Sequence, residues 1–191
     1  MNIITLEKWL PHTERAAPPN LVVLHATMGA TARSSIDWLR GQGFSYHYII
    51  ARDNKDTAKS ENANGTEPII FRCVPNEGHA FHVASTIPVP SRKHSINNNS
   101  IGISLANIQR IQNPEPYTQK QLLVLETLIK QLKTELPTLQ YLTTHAAVQP
   151  WNRRDPLGVN GKQIAQAVGL KWWQPTEAEI VAHTPKKTRV A

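Results

Sequence analysis

The sequence has a single cysteine, Cys73, so no disulfide closes within the chain and a four-cysteine metal site is excluded. Cys73 lies in the apolar run IIFRCV and reads as a buried structural thiol. No apolar run approaches the roughly 20 residues needed to cross a bilayer. The start, MNIITLEKWLPHTERAAPPN, has no basic segment followed by an apolar stretch. The reading is therefore synthesis in the cytoplasm without a signal peptide, with any export by another route. Internal repeats are absent. The net charge is +7, but the basic residues are scattered. Neither an aromatic RNA-binding signature nor a recognition-helix pattern accompanies them, which argues against nucleic acid. A positive surface suits other polyanions equally well, a bacterial cell wall among them.

What is present fits a globular domain. The chain has 191 residues, with 40% hydrophobic and 18% charged, enough for one good core. NLVVLHAT reads as a buried strand with His25 near its C-terminal end. TARSSIDWLRGQG reads as a short helix stopped by glycine. SYHYIIARDN and IIFRCV read as strands, joined by the polar, turn-rich KDTAKSENANGTEP. GHAFHVAST and IPVPSRKHS read as irregular chain. SIGISLAN is a further strand. PYTQKQLLVLETLIKQLKTEL is the clearest helix, with Thr118 and Gln121 in capping-box positions and Tyr117 placed to staple onto Leu122. Leu122, Leu125, Ile129 and Leu132 share one face, and Pro137 stops the helix. LQYLTTHA reads as the last short strand, with His145 near its end, and IAQAVGLKWW as a closing helix. The expected architecture is mixed α/β: a central mixed sheet flanked by helices. The expected boundaries are an N-terminal extension over 1–19, one main domain over 20–175 and a basic tail over 176–191.

His25 and His145 end two strands, and Asp155 follows His145 across the stiff loop AAVQPWNRRDP. Strand ends converge on one edge of a sheet, where α/β folds usually hold their sites. Two imidazoles and a carboxylate form a ligand set that leaves zinc one open position for water. By spacing alone, hydrogen-bonded core histidines account for the same pattern.

The segments VVLHAT, YHYIIARDN, HAFHVA, NNNSIGISLAN, YTQKQLLVLETLI and THAAVQPWNRRDP occur in an order that resembles the zinc-dependent N-acetylmuramoyl-L-alanine amidases. That family includes phage amidase-type lysozymes, cytosolic muropeptide-recycling amidases and animal peptidoglycan recognition proteins. The resemblance runs from about residue 20 to residue 173. It implies a zinc site at the strand ends, formed by His25, His145 and Asp155. Phage lysozymes of the family use a cysteine as third ligand, whereas recycling amidases use an aspartate at the spacing seen here. The recycling enzymes carry a glutamate base where this chain has Ser104. The phage enzymes instead use a tyrosine, matched here by Tyr46, whose hydroxyl would orient the attacking water. Arg153 stands where catalytic members usually have lysine, and would stabilise the oxyanion. Arg154 either takes that role instead or is solvated. His82 matches a family histidine near the substrate, or is a packed loop residue. Trp151 either lines the groove or covers the core. Asn97 and Ser100 match a structural Asn-x-x-Ser lead-in.

The resemblance implies cleavage of the amide between N-acetylmuramic acid and L-alanine, in peptidoglycan or a muropeptide. It implies a monomer without membrane insertion. The basic charge and Tyr46 favour a bacteriolytic phage-type endolysin that reaches the wall after release. A recycling amidase acting on cytosolic muropeptides and a non-catalytic peptidoglycan-binding module are the alternatives. A structural zinc site would need a fourth ligand, and strand alternation points His47, beside Tyr46, to the opposite face.

Overall fold

Leu21–Ala26 is buried at every position and occupies the interior of the main sheet. The computed structural model describes residues 1–56, 67–92, 94–110, 112–113 and 115–186. In chain order its elements are strands β1 (Asn2–Thr5), β2 (His12–Glu14) and β3 (Leu21–Ala26), then helix α1 (Ala32–Gln42). Strands β4 (Tyr48–Ile50), β5 (Ile69–Arg72) and β6 (Gly78–Ala80) follow, then helix α2 (Ile96–Asn99) and strand β7 (Ser100–Leu105). The remainder is helix α3 (Gln119–Glu135), strand β8 (Tyr141–Thr144), helices α4 (His145–Val148) and α5 (Gly161–Val168), strand β9 (Lys171–Trp172) and helix α6 (Glu177–His183).

Seven strands form a mixed sheet in the order β1-β5-β4-β7-β3-β8-β9, and β2 pairs with β6 in a separate ribbon. Within the main sheet only β4 and β5 run antiparallel. The polar connection expected between them lies mostly outside the described residues. Because β3 runs parallel to both β7 and β8, the C-terminal ends of all three meet at one edge. His25 and His145 reach that edge together.

Alternation along β3 divides the core in two. Val22, Leu24 and Ala26 face α3 and α5, packing with Leu125, Leu128, Ile129, Ile164 and Val168. Leu21 and Val23 face the other side, with Val89, Ile96 and Val148. His25 shares the parity of Leu21 and Val23, so it points away from α3. The helix α3 follows its sequence pattern. Thr118 and Gln121 complete a capping box, and Tyr117 and Leu122 both join the core beneath it. The helix α1 is capped by Thr31 and ends at Gly43 in the left-handed conformation, φ 73°. Asp56 adds a carboxylate at its start, accepting from the Ala32 and Arg33 amides at 2.6 and 2.7 Å.

Several segments depart from the sequence expectation, among them LQYLTTHA, whose strand ends at Thr144 and leaves His145 to open helix α4. Residues 1–19 are more than an approach to β3: they supply β1 at the sheet edge and β2 in the ribbon. The GHAFHVAST segment, expected to be irregular, begins with β6. The closing helix ends early, because Gly169 turns left-handed at φ 69° and the next residues pair with β8 as β9. Finally, residues 176–191 begin with the exposed helix α6, its start capped by Thr176 and Glu179.

Candidate metal centre

The centre is assembled at the C-terminal edge of β3 and β8. His25 is the fifth residue of β3, and His145 follows directly on β8 as the first residue of α4. From α4 the chain turns back through Gln149 to Asp155. The Arg153 amide donates to the Gln149 carbonyl at 3.0 Å, and the Ala146 amide donates to the Asp155 carbonyl at 2.9 Å. The second bond closes the loop and sets Asp155 beside His145. The stiff VQPWNRR segment thus returns the carboxylate to the histidines.

His25 Nδ1 lies 3.1 Å from His145 Nδ1, and Asp155 Oδ2 lies 3.6 and 3.2 Å from the two. Ligands bound to zinc at about 2.0–2.1 Å in a tetrahedron lie roughly 3.3–3.4 Å apart. The observed triangle has those dimensions. Two imidazole lone pairs and a carboxylate aimed at one point repel each other, and a divalent cation satisfies all three. The residues therefore fit a metal ion. Among the described residues no other His, Cys, Asp or Glu joins the cluster.

All three side chains are buried, and that burial acts on the protonation of His25 and Asp155. Burial drives the His25 pKa down to about 4, helped by the neighbouring His145 and opposed by Asp155. Burial alone would raise the Asp155 pKa. The neighbouring His145 and His25 together outweigh it and hold the carboxyl well below the usual range. Neutral imidazole and ionised carboxylate are the forms a metal binds.

The outer ring nitrogens are also engaged. His145 Nε2 faces Gln149 Oε1 at 3.4 Å, and Gln149 also accepts from the Ala84 amide at 2.9 Å. His25 Nε2 lies 3.0 Å from His82 Nδ1, and His82 Nε2 lies 3.2 Å from Ser100 Oγ. Metal-binding histidines need such partners to fix their tautomer and orientation.

A cavity of about 300 Å³ opens over this cluster, lined among others by Tyr46, His82, Asn97, His145, Arg153 and Asp155. Trp38 and Phe44 stack at 6.3 Å on its rim and are 59% and 49% exposed. The Tyr46 ring lies 4.8 Å from that of His25. Burial and Asp155 raise the Tyr46 pKa, which keeps its hydroxyl protonated as a hydrogen-bond donor. Ser104 stands opposite His25 in the strand register. Its hydroxyl is buried without a well-formed hydrogen bond. Arg153 is exposed at the cavity wall, close enough for its charge to disfavour protonation of His25.

A family profile described as N-acetylmuramoyl-L-alanine amidase matches residues 15–158, most of the chain. The chain belongs to the N-acetylmuramoyl-L-alanine amidase family. No curated protein matches it. Among solved structures it resembles AmpDH3 from Pseudomonas aeruginosa, described in complex with anhydromuramic pentapeptide, at TM-score 0.65 and 21% identity. That match covers 87% of this chain and 73% of the other. The Ph2119 endolysin of a Thermus scotoductus MAT2119 bacteriophage matches at TM-score 0.60 and 19% identity, covering 87% and 99%. Drosophila peptidoglycan recognition protein SA matches at 0.59 and 14%, covering 92% and 96%. At these identities the likeness is one of fold.

On this amidase fold, His145, Asp155, Tyr46 and Arg153 line one cavity, and His25 lies buried behind it against His145 and Asp155. Arg154 and Trp151 do not line it. They lie in an adjoining recess of about 320 Å³, which shares Met28, Arg153 and Asp155 with the first. Asn97 has the structural role expected of it: its side chain accepts from the Val83 amide and donates to the Val83 carbonyl, both at 2.9 Å. His47 turns away from the centre to meet Arg15 and the Gly102 amide. The sequence reading missed Gln149 and the Trp38–Phe44 pair. Gln149 follows His145 by four residues, the spacing at which helical neighbours meet. An amphipathic reading of α1 would have flagged Trp38 as an aromatic outside the buried stripe.

Proposed function

We propose that this chain is a zinc-dependent N-acetylmuramoyl-L-alanine amidase, hydrolysing the amide between N-acetylmuramic acid and L-alanine. The observation that carries the proposal is the triangle of His25 Nδ1, His145 Nδ1 and Asp155 Oδ2, two of whose members line a cavity together with Tyr46 and Arg153. Zinc held there supplies a Lewis acid and a water whose pKa is lowered to about 7. The chain's own residues do the rest. Tyr46 donates its hydroxyl hydrogen bond at the reacting centre and orients the attacking water. Arg153 places its guanidinium beside the substrate carbonyl and stabilises the negative charge that grows on that oxygen. Ser104 takes no part as a base, having no titratable group in this range. The adjoining recess, with Trp151, Arg154 and the shared Arg153, extends the surface available to a muropeptide. In this reading His82 supports the centre.

The basic charge of +7 and Tyr46 support a bacteriolytic, endolysin-like role on intact wall. The aspartate ligand supports the alternative, a recycling amidase acting on released muropeptides. Mass spectrometry of digested sacculi and of soluble anhydro-muropeptides tests both. The expected product is a stem peptide with a free L-alanine amine, released from sacculi. Release from soluble muropeptides alone would favour recycling. Binding to sacculi without release would leave a peptidoglycan-binding module and end the enzymatic reading.

A further inference from the structure

We infer that His82 is a positioning residue of the metal centre, accepting the Nε2–H of His25 so that the Nδ1 lone pair of His25 turns to the metal. The inference rests on the metal reading above. A neutral imidazole carries one N–H. If His25 presents Nδ1 to a metal, its proton is on Nε2, which lies 3.0 Å from His82 Nδ1. His82 Nδ1 is then an acceptor, and the His82 proton sits on Nε2. That nitrogen lies 3.2 Å from Ser100 Oγ, which accepts it. The ring protons of His25 and His82 are thus both assigned from the metal outward.

The surroundings hold His82 in this register. Its ring packs on the backbone of Gly102, where a Cβ would fall 2.9 Å from the ring carbons. Asn97 clamps the next residue by both its amide and its carbonyl. The backbone of Ser100, the terminal acceptor, is fixed by the Arg15 guanidinium, which donates to its carbonyl at 2.9 Å. His82 is only 8% exposed, and both its ring nitrogens are engaged within the protein. It therefore has no free N–H to offer a substrate, which favours the packed alternative over substrate contact. The usual outer partner of a metal-binding histidine is a carboxylate, a carbonyl or water. Here it is a second imidazole.

The test is zinc affinity, measured by competition between the metal-free protein and a chromogenic chelator. His82→Leu removes the acceptor at similar bulk, and the affinity should fall roughly 10–100-fold, the usual cost of losing such a partner. His82→Asn places an amide oxygen near the position of Nδ1 and should retain most of the affinity. Unchanged affinity in a folded His82→Leu protein, with only KM raised, overturns the inference and returns His82 to substrate contact. Nitrogen-15 imidazole spectra of the zinc-loaded wild type give a readout independent of variant folding. They should show His82 neutral with its proton on Nε2; a proton on Nδ1 overturns the assignment. A wild type that takes up no zinc defeats the metal reading itself.

Discussion

Arg153 is the residue at which chemistry and binding separate most cleanly. It lies on the cavity wall over the centre, whereas Arg154 lies only in the adjoining recess. A donor that strengthens in the transition state lowers turnover when removed and leaves affinity nearly unchanged. Arg153→Ala should therefore lose roughly 10²–10³-fold in kcat on a soluble muropeptide, typical of one oxyanion donor. Arg153→Lys, which keeps the charge, should retain much of it. Arg154→Ala should act weakly, through affinity, and its effect should fade at high salt. A crippled Arg154→Ala beside a normal Arg153→Ala would reverse the two roles. Tyr46→Phe should cost roughly 10²-fold in kcat with zinc content intact. Full activity in that variant would reduce Tyr46 to packing. The candidate ligands stand out in the sequence because His25 lies near a strand end, His145 directly follows one and Asp155 comes after a short loop, and because the ordered motifs fix their register. The partners behind them were less legible. The contact of His82 with His25 spans 57 residues of sequence, and no local pattern encodes which face of a loop histidine is used.

At the scale of elements, legibility followed periodicity. The helix α3 has strong caps and an unbroken apolar stripe, and its expected features are present. Thr118→Ala should cost about 1 kcal/mol through loss of the cap. Ile129→Ala, fully buried against the sheet, should cost about 2–5 kcal/mol. Urea unfolding checks both; equal costs would mean that the cap and the core were misjudged. The weaker elements escaped because their pairing is non-local. The strand β9 pairs only two residues with β8, too few for a period. The strand β1 is exposed along its length, so burial imposes no alternation on its sequence. The N-terminal segment is nonetheless fastened to the domain. Arg15 donates to the carbonyls of Asn76, Asn98 and Ser100 and meets His47 Nε2 at 2.9 Å. Removing it leaves partly buried carbonyls without their donor, at about 1–3 kcal/mol for each one left unsatisfied. Arg15→Ala should accordingly lower the urea unfolding midpoint.

For the molecule as a whole, buried neutral histidines set the acid limit of stability. Burial and the adjacent Arg15, with His79 and His12, lower the His47 pKa to about 3. Above pH about 6.5 the ring is neutral in both folded and unfolded chains, so it contributes no pH dependence. Between about 6.5 and 3 only the unfolded chain takes up the proton, and stability falls as pH falls. The urea midpoint of the metal-free protein should decline across this range, and less steeply in His47→Gln. An unchanged slope in that variant would remove His47 from the account. In the proposed function, one zinc is held where β3 and β8 end, and metal analysis joined to an activity assay tests this most directly. The purified protein should contain about one zinc per chain, lose amidase activity on chelation and regain it when zinc is returned. A protein without zinc whose activity is indifferent to chelator would contradict it.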